Sequence, residues 1–298
     1  MDKIRSVKNR DDVVRLLTAA LHHEWAVSFE YVIHAYSMPK GKFLYEDPIS
    51  KQATDARAQT IQIGIDEMYH ALQIGFSLAQ YGVDPGFGTD EVMRYPLILD
   101  NLERDKMTED QVTDLYQSAE VEPGAFPEVE NMIWNISSDE VRHSAQFAAM
   151  IAAIESAGAA DAVCFAPHPD RARREDLQLL HGLCRLENEA MHRYLKYVMM
   201  FNEHQDLGQR LFKNSINHMR HWDKLAGALV KLGDVIAIEN AETDAAGVER
   251  SLLPMPAAYP GTGRLSALET LPALERELVA KYEAVLVLGL PVEVQAQL

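Results

Sequence analysis

The chain has 298 residues, of which 47% are hydrophobic and 24% are charged, a composition typical of a globular protein with a sizeable core. Its 45 acidic residues outnumber its 28 basic ones and give a net charge of −17, which argues against nucleic acid or an anionic membrane as the main partner. The two cysteines, Cys164 and Cys184, form no Cys-x-x-Cys pair, which excludes a disulfide framework and a rubredoxin-type iron site.

The beginning of the chain carries no sign of a targeting segment. Met1-Asp-Lys-Ile-Arg5 lacks the apolar core of a signal peptide. No run in the sequence reaches the roughly 18 apolar residues that span a bilayer. We therefore expect a cytoplasmic protein without a membrane partner.

Apolar residues at three- and four-residue spacing predict helices through most of the first half. Four helical segments are expected there, at about residues 11–37, 53–81, 90–120 and 127–157. The stretch 38–52 is predicted to be a loop. The third segment is predicted to be interrupted, because Pro96 lies early in it and Thr108-Glu-Asp-Gln111 resembles a capping box that would restart a helix.

The second half repeats this helical character after a linker at 158–173. Three helices are predicted, at about residues 174–204, 207–232 and 265–288. A long connection rich in proline and glycine, with Pro254, Pro256, Pro260, Gly261 and Gly263, precedes the last of them. The prediction is an all-α protein with a first bundle over 1–157 and a second, diverged and incomplete helical block over 174–298.

Two Glu-x-x-His pairs are the most informative motifs in the chain. They are Glu67-Met-Tyr-His70 and Glu140-Val-Arg-His143, each inside a predicted helix. Positions i and i+3 share one face of a helix, so each carboxylate and imidazole point to the same place. Two such pairs, with one Glu from each of two further helices, form the ligand set of a carboxylate-bridged di-metal site in a four-helix bundle. A single pair would more often be a solvated surface feature, but both are flanked by apolar residues.

Two more carboxylates complete the predicted set. Glu24 supplies the ligand from the first helix, in preference to Glu30. Glu109 is chosen from the third helix for its spacing to Tyr116 and Glu140. The alternative is that Glu109, in the first turn after a capping Thr, is exposed and only interacts favourably with the helix dipole. Its rivals as third-helix ligand are Glu103, Glu120 and Glu122.

A Glu and a Tyr seven residues apart recur in four predicted helices and indicate an internal repeat. The pairs are Glu24 and Tyr31, Glu109 and Tyr116, Glu187 and Tyr194, and Glu275 and Tyr282. The second block thereby offers a further metal-site candidate, made of Glu187, His218, His221 and Glu275. The alternative is a degenerate copy that is kept as a packing scaffold. A third Glu-x-x-His pair, Glu189 and His192, falls outside the repeated positions.

Other side chains near the first site have two interpretations each. His22, His23 and His34 are expected at the surface or behind the ligands, where they would orient them. Trp25, Tyr31 and Tyr69 could line a substrate pocket, or they could pack in the core.

The stretches EWAVSFEYVIHAYS (24–37) and DEMYHALQIGFSLAQYGVDP (66–85) resemble the ferritin-like superfamily of di-iron and di-manganese carboxylate proteins. They are most similar to the ferritin-like domain of the iminophenylpyruvate dimer synthase group. The resemblance covers about residues 11–157. It implies an up-down helical bundle with a di-metal centre at Glu24, Glu67, His70, Glu140 and His143.

The resemblance allows several activities. The first hypothesis is a di-metal oxidase or oxygenase that uses O₂ on a small organic metabolite, with two iron ions, two manganese ions or one of each. Electrons would come from a separate reductase or from the substrate. The second is a ferroxidase or a peroxide-reducing iron-handling protein, and the third a non-catalytic helical binding protein. A homodimer is expected, because the second block lacks a fourth helix to cover its apolar surface.

Overall fold

A computed structural model describes residues 6–85, 90–201, 204–238, 240–252 and 264–298. Helices dominate these residues, as predicted for an all-α protein. Their bounds are α1 Arg10–Ser37, α2 Ala56–Gln80, α3 Ile98–Ser118, α4 Pro127–Ser156, α5 Glu175–Met200, α6 Gln205–Lys231, α7 Arg264–Leu286 and α8 Val292–Gln295. The four-residue α8 was not predicted.

Short strands join the helices. Their bounds are β1 Ser6–Val7, β2 Leu44–Glu46, β3 Ala53–Asp55, β4 Glu91–Arg94, β5 Glu120–Val121, β6 Glu242–Thr243 and β7 Glu249–Leu252. β1 pairs with β5 in parallel, and β2 pairs with β3 in antiparallel register. β7 lies between β4 and β6 and is antiparallel to both.

The chain divides into two compact units. Unit 1 comprises Met1–Cys164 together with Asn240–Leu253, and unit 2 comprises Phe165–Glu239 together with Pro254–Leu298. This division differs from the predicted one, which placed 158–173 in a linker and all of 174–298 in the second block. The segment 240–252 belongs to unit 1 because β7 pairs with β4, residue for residue from Glu91 opposite Leu252 to Arg94 opposite Glu249.

In unit 1, α1 packs along α2, and α3 packs along α4. From His23 to Ser37 every residue of α1 is buried, so this helix is enclosed on all sides. Gly64 allows the close approach of α1 to α2, because a Cβ there would lie 3.0 Å from the backbone oxygen of Ser28. Such packing lets polar side chains of all four helices reach the interior.

The predicted interruption of the third helix is wrong. α3 runs without a break from Ile98 to Ser118, so Thr108 does not cap a new helix. Its hydroxyl instead donates a hydrogen bond to the carbonyl oxygen of Arg104, one turn earlier. Pro96 precedes the helix rather than interrupting it.

The segment predicted to be a loop at 38–52 contains β2 and turns back into β3, so α2 begins at Ala56 rather than at 53. Phe43 and Tyr45 enter the hydrophobic core of unit 1. Asp47 holds the turn, since its carboxylate accepts hydrogen bonds from the backbone of Ile49 and Ser50 and from Gln146 of α4.

In unit 2, α5 packs against both α6 and α7. α5 ends at Met200, four residues before its predicted end. Buried Asp234, just beyond α6, binds Arg171 and His181 and accepts the backbone N–H of His168. The predicted connection with Pro254, Pro256, Pro260, Gly261 and Gly263 lies outside the described residues.

None of the described helices combines the length and the apolar composition that a membrane-spanning segment needs. Both cysteines are free, as expected from their spacing in the sequence.

Candidate metal centre

The four long helices of unit 1 bring all six predicted ligand residues together. Glu24 comes from α1, Glu67 and His70 from α2, Glu109 from α3, and Glu140 and His143 from α4. None of the six exceeds 3% exposure. The two Glu-x-x-His pairs lie on the interior faces of α2 and α4, as their spacing predicts.

The six residues form two overlapping groups of potential ligands. Glu24, Glu67, His70 and Glu140 place one atom each within 4.8 Å of one another, and Glu67, Glu109, Glu140 and His143 do the same. Glu67 and Glu140 belong to both groups. One histidine belongs to each group, and the two shared residues are the carboxylates predicted to bridge two metal ions. Whether they bind metal stays a prediction.

Both imidazoles turn their Nδ1 atoms toward the carboxylates. His70 Nδ1 lies 2.8 Å from Glu67 and 3.2 Å from Glu140. His143 Nδ1 lies 2.7 Å from the other oxygen of Glu67. One carboxylate thus stands between the two rings, whose centroids are 6.1 Å apart.

Several atoms of this cluster are buried and make no hydrogen bond of acceptable geometry, although some lie close to a charged neighbour. They are Glu24 Oε2, Glu67 Oε1, both carboxylate oxygens of Glu109, Glu140 Oε1 and His143 Nδ1. Buried polar atoms are nearly always paired in native proteins, and an unpaired one costs free energy. Four carboxylates and two imidazoles therefore form a site that needs positive charge.

The pKa values reflect this crowding of negative charge. Burial raises the pKa of Glu140 well above its usual range, and the carboxylates of Glu67 and Glu109 raise it further. Burial alone would lower the pKa of His143, but the carboxylates around it, Glu67 foremost, together outweigh burial and raise that pKa well above its usual range. Both shifts favour the protonated forms of Glu140 and His143 in the metal-free protein, and a bound cation would favour their deprotonation.

A tyrosine lies beside each of the two terminal carboxylates, which are those of Glu24 and Glu109. The hydroxyl of Tyr116 in α3 donates a hydrogen bond to Glu24 in α1. In the opposite direction, Tyr31 of α1 lies beside Glu109 of α3, whose charge, after burial, raises the pKa of Tyr31 well above its usual range. The Glu–Tyr repeat seen in the sequence thus links α1 and α3 reciprocally.

An outer layer of charged residues escaped the sequence analysis. Asp66 lies 3.4 Å from Nε2 of His143, and Asp139 lies 3.3 Å from Nε2 of His70, so each aspartate holds the histidine of the other helix. Arg142 lies within 3.3 Å of both aspartates. The signal was present, because each motif reads Asp-Glu-x-x-His when the preceding residue is included.

A separate group of buried polar residues lies farther along α1. His34 is 2.7 Å from Asp105 through Nδ1 and 2.7 Å from the carbonyl oxygen of Met93 through Nε2. Glu30 accepts hydrogen bonds from Arg104 and from the backbone N–H of Met93. These polar groups partner one another and fix β4 against α1 and α3. The prediction of a surface position is therefore wrong for His34, and also for His23, which is 8% exposed.

Burial separates Glu109 from its rivals in the sequence. Glu103, Glu120 and Glu122 are exposed, whereas Glu109 is 1% exposed. Trp25 and Tyr31 are core residues, but Tyr69 is 45% exposed and so does not line an interior pocket.

A cavity of about 650 Å³ lies between α1 and α3, and none of Trp25, Tyr31 and Tyr69 lines it. Its lining includes His23, next to Glu24 in the chain, and Thr108, next to Glu109. Four acidic residues, Asp90, Glu91, Asp110 and Asp114, contribute to the wall, with Arg104 as the basic one.

Unit 2 assembles the second predicted set on α5, α6 and α7. Glu187, His218 and His221 place one atom each within 4.8 Å of one another. Glu275 joins them through Nε2 of His218 at 3.2 Å. The third Glu-x-x-His pair is not such a site, because Glu189 pairs with Arg193 while Nδ1 of His192 bonds to the carbonyl oxygen of Asn188.

Comparison of the chain with protein-family models, with curated proteins and with solved structures found no match. The geometry of the site therefore carries the functional argument.

Proposed function

We propose that unit 1 is a ferritin-like four-helix bundle whose di-metal centre uses O₂ to oxidise a small organic molecule. The observation that carries the proposal is the pair of overlapping ligand groups, which share Glu67 and Glu140. The four glutamates and two histidines, distributed over four helices, match the ligand pattern of di-iron and di-manganese carboxylate proteins.

The residues present fit two divalent ions. Four carboxylates carry a charge of −4 when ionised, which two divalent ions neutralise while the imidazoles stay neutral. The unpaired oxygens of Glu24, Glu109 and Glu140 would become metal ligands. Oxygen and imidazole ligands suit iron and manganese.

The protein's own contribution is binding and orientation. Asp66 and Asp139 accept the Nε2–H of the two histidines, which leaves both Nδ1 atoms free to bind metal. The hydroxyl of Tyr116 holds one oxygen of Glu24 and leaves the other for coordination. A bound iron or manganese pair would supply redox chemistry with O₂, and the burial of the cluster excludes bulk water from it.

The cavity between α1 and α3 is the proposed substrate site. Its wall adjoins both terminal carboxylates along the chain, through His23 and Thr108. Because acidic residues outnumber basic ones in its lining, the proposed substrate is neutral or cationic, such as an amine. Electrons would come from this substrate or from a separate reductase.

Metal content tests the centre. After anaerobic loading of the full chain with Fe(II) or Mn(II), elemental analysis is expected to find two ions fewer per chain in the double variant Glu67→Ala, Glu140→Ala than in the wild type. The control is Glu103→Ala, Glu155→Ala, which removes two exposed carboxylates of α3 and α4. An equal metal content in all three proteins would overturn the di-metal assignment and favour a helical binding protein.

Oxygen consumption tests the reaction. The Fe(II)-loaded protein is mixed with a panel of amines and neutral organic molecules, with and without a chemical two-electron reductant. It is expected to consume O₂ in proportion to one organic product, either with an added oxygen atom and reductant consumed, or with two hydrogens removed and H₂O₂ formed. Rapid turnover of added Fe(II) or of peroxide without any organic product would instead assign the protein to iron handling.

A further inference from the structure

Unit 2 contains the second cluster, made of Glu187, His218, His221 and Glu275. It is more than a buried ion pair, because two histidines contact the same carboxylate. Glu187 and His218 are buried, and His218 Nδ1 lies 2.6 Å from the carboxylate of Glu187. His221, one turn further along α6, turns its own Nδ1 to the other oxygen of Glu187, at 3.2 Å. Two imidazole nitrogens and one carboxylate thus converge on one place.

The remaining contacts orient these three groups. Glu275 of α7 lies 3.2 Å from Nε2 of His218 and accepts a hydrogen bond from Tyr194 at 2.6 Å. Such a carboxylate behind a histidine fixes the tautomer and leaves the opposite ring nitrogen for a metal. The hydroxyl of Tyr282 donates to Glu187 at 2.7 Å.

The hydrogen bonds of the tyrosines repeat those of unit 1. In unit 1 Tyr116 of α3 binds Glu24 of α1, and in unit 2 Tyr282 of α7 binds Glu187 of α5. The two carboxylates therefore occupy corresponding positions, although Glu24 belongs to a six-residue cluster and Glu187 to a smaller one. This correspondence is independent of the distances within the second cluster.

A packing scaffold does not account for His221. Its side chain is 46% exposed and could turn to solvent, and Glu187 already has partners in His218 and Tyr282. The ligand atoms of His221, His218 and Glu187 lie within 4.8 Å of one another, as the ligands of one metal ion do. Two carboxylates, Glu187 and Glu275, would moreover balance the charge of one divalent ion.

We propose that unit 2 holds a separate mononuclear site for a divalent transition metal, with Nδ1 of His218, Nδ1 of His221 and the carboxylate of Glu187 as ligands. Two histidines and one carboxylate bind zinc and non-haem iron, and leave coordination positions open. The exposure of His221 places these open positions toward solvent. This site does not depend on the centre proposed for unit 1.

Zinc binding to the full chain tests the proposal, since Zn²⁺ is redox-silent and suits this ligand set. Equilibrium dialysis followed by elemental analysis compares the wild type with His221→Ala and with Glu187→Gln. The matched controls are His204→Ala, an exposed histidine at the start of α6, and Glu189→Gln, two residues from Glu187 on α5. Circular dichroism verifies that each variant is folded.

We expect His221→Ala and Glu187→Gln each to bind one Zn²⁺ fewer per chain than the wild type, and both controls to bind the same number. Glu275→Gln should retain the ion but weaken its affinity by about 10- to 100-fold, because it removes the group that orients His218. An unchanged zinc content in folded His221→Ala would overturn the proposal and leave the cluster as a scaffold. A failure of unit 1 to bind metal would appear separately, as a lower wild-type count with the same difference of one.

Discussion

The clusters of unit 1 and unit 2 share the same Glu–Tyr hydrogen bonds between helices but differ in burial and in the number of polar atoms left unpaired. In unit 1, six candidate ligand residues from four helices are all buried, and several of their oxygens make no hydrogen bond. In unit 2, three helices supply Glu187, His218, His221 and Glu275, and none of the unpaired buried atoms in the described residues belongs to them. His221 is also half-exposed.

The difference follows from one helix. α4 carries Glu140 and His143 into the cluster of unit 1, whereas α8, the last described helix of unit 2, has four residues and adds no ligand. Without a counterpart of α4, the second cluster loses a carboxylate and an imidazole and faces solvent on one side. The number of packed helices thus sets both the charge that a site must neutralise and its access to water.

Removing one carboxylate from unit 1 should have the largest effect, because it reduces the excess of buried acidic groups that distinguishes unit 1 from unit 2. For Glu140→Gln we expect the free energy of unfolding of the metal-free protein to increase at pH 7, because folding no longer has to protonate a buried carboxyl beside Glu67 and Glu109. The same variant should lose the metal-dependent stabilisation, about 2.7 kcal/mol at a metal concentration 100-fold above Kd. Thermal unfolding with and without Mn(II) measures both effects.

Glu155→Gln, an exposed position on α4, is the control and should behave as the wild type. A metal-free Glu140→Gln protein that is less stable than the wild type would contradict the claim of charge crowding.

Asp66 and Asp139, which contact the histidines of unit 1, allow a test of whether metal affinity is set separately in each unit. Asp139→Asn should weaken metal binding in unit 1 by about 10- to 100-fold, or about 1.4 to 2.7 kcal/mol, while the number of ions at saturation stays at two. Zinc binding at unit 2 should not change, since Asp139 belongs to unit 1. A metal titration resolves these two effects, and a loss of affinity at both units would argue against local action.

The corresponding tyrosines offer a matched pair. Tyr116→Phe leaves a buried oxygen of Glu24 without its donor and should cost about 1 to 2 kcal/mol of free energy of unfolding in the metal-free protein. Tyr282→Phe should cost less, because Tyr282 is partly exposed and Glu187 keeps His218 as a partner. Urea unfolding of both variants measures the difference, and equal losses would refute the contrast in burial.

Lowering the pH should have the smallest effect on the free energy of unfolding, and it acts through aspartates outside the two clusters, such as Asp47. Burial alone would raise the pKa of Asp47, but hydrogen bonds from Ser50, Gln146 and Ile49 outweigh it and lower that pKa to about 2, against an ordinary value of 3.8. Its contribution, on the order of 1 kcal/mol, is complete above about pH 5 and is lost progressively as the pH falls through 2. Asp47→Asn should therefore flatten the loss of stability between pH 4 and pH 2.

Asp234 provides the comparison in unit 2. Burial alone would raise its pKa, but His181 and Arg171 outweigh it and hold the pKa well below its usual range. The same loss should occur at lower pH. At neutral pH Asp234→Asn should cost more than Asp47→Asn, because it leaves Arg171 and His181 without a charged partner. Urea unfolding at pH 7 separates the two variants.

Local periodicity was enough to predict most helices and the meeting of the six residues of unit 1. The spacing of the two Glu-x-x-His pairs fixed which faces of α2 and α4 are interior, and the Glu–Tyr repeat distinguished Glu109 from Glu103. These features depend on residues within two turns of one another. Whether the site binds two ions and reacts with O₂ stays a prediction.

Features that depend on distant partners escaped the sequence. Thr108-Glu-Asp-Gln111 has the same local pattern whether it begins a helix or lies within one, and only the packing of α3 on α4 favours the continuous helix. β7, with the mixed sequence Glu-Arg-Ser-Leu, carries little strand signal until it meets β4. His34 is buried because Asp105, 71 residues away, receives it.

The pairing of β7 with β4 also sets the order of events during synthesis. The backbone of Met93 in β4 binds both Glu30 and His34, and Arg94 binds Glu249 of β7. The last strand of unit 1 therefore leaves the ribosome only after α5 and α6 of unit 2 have been translated. A nascent chain that ends near residue 164 would hold the helices of unit 1 with one sheet edge still open, so unit 1 completes its sheet late and is exposed to misassembly for longer than its position in the chain suggests.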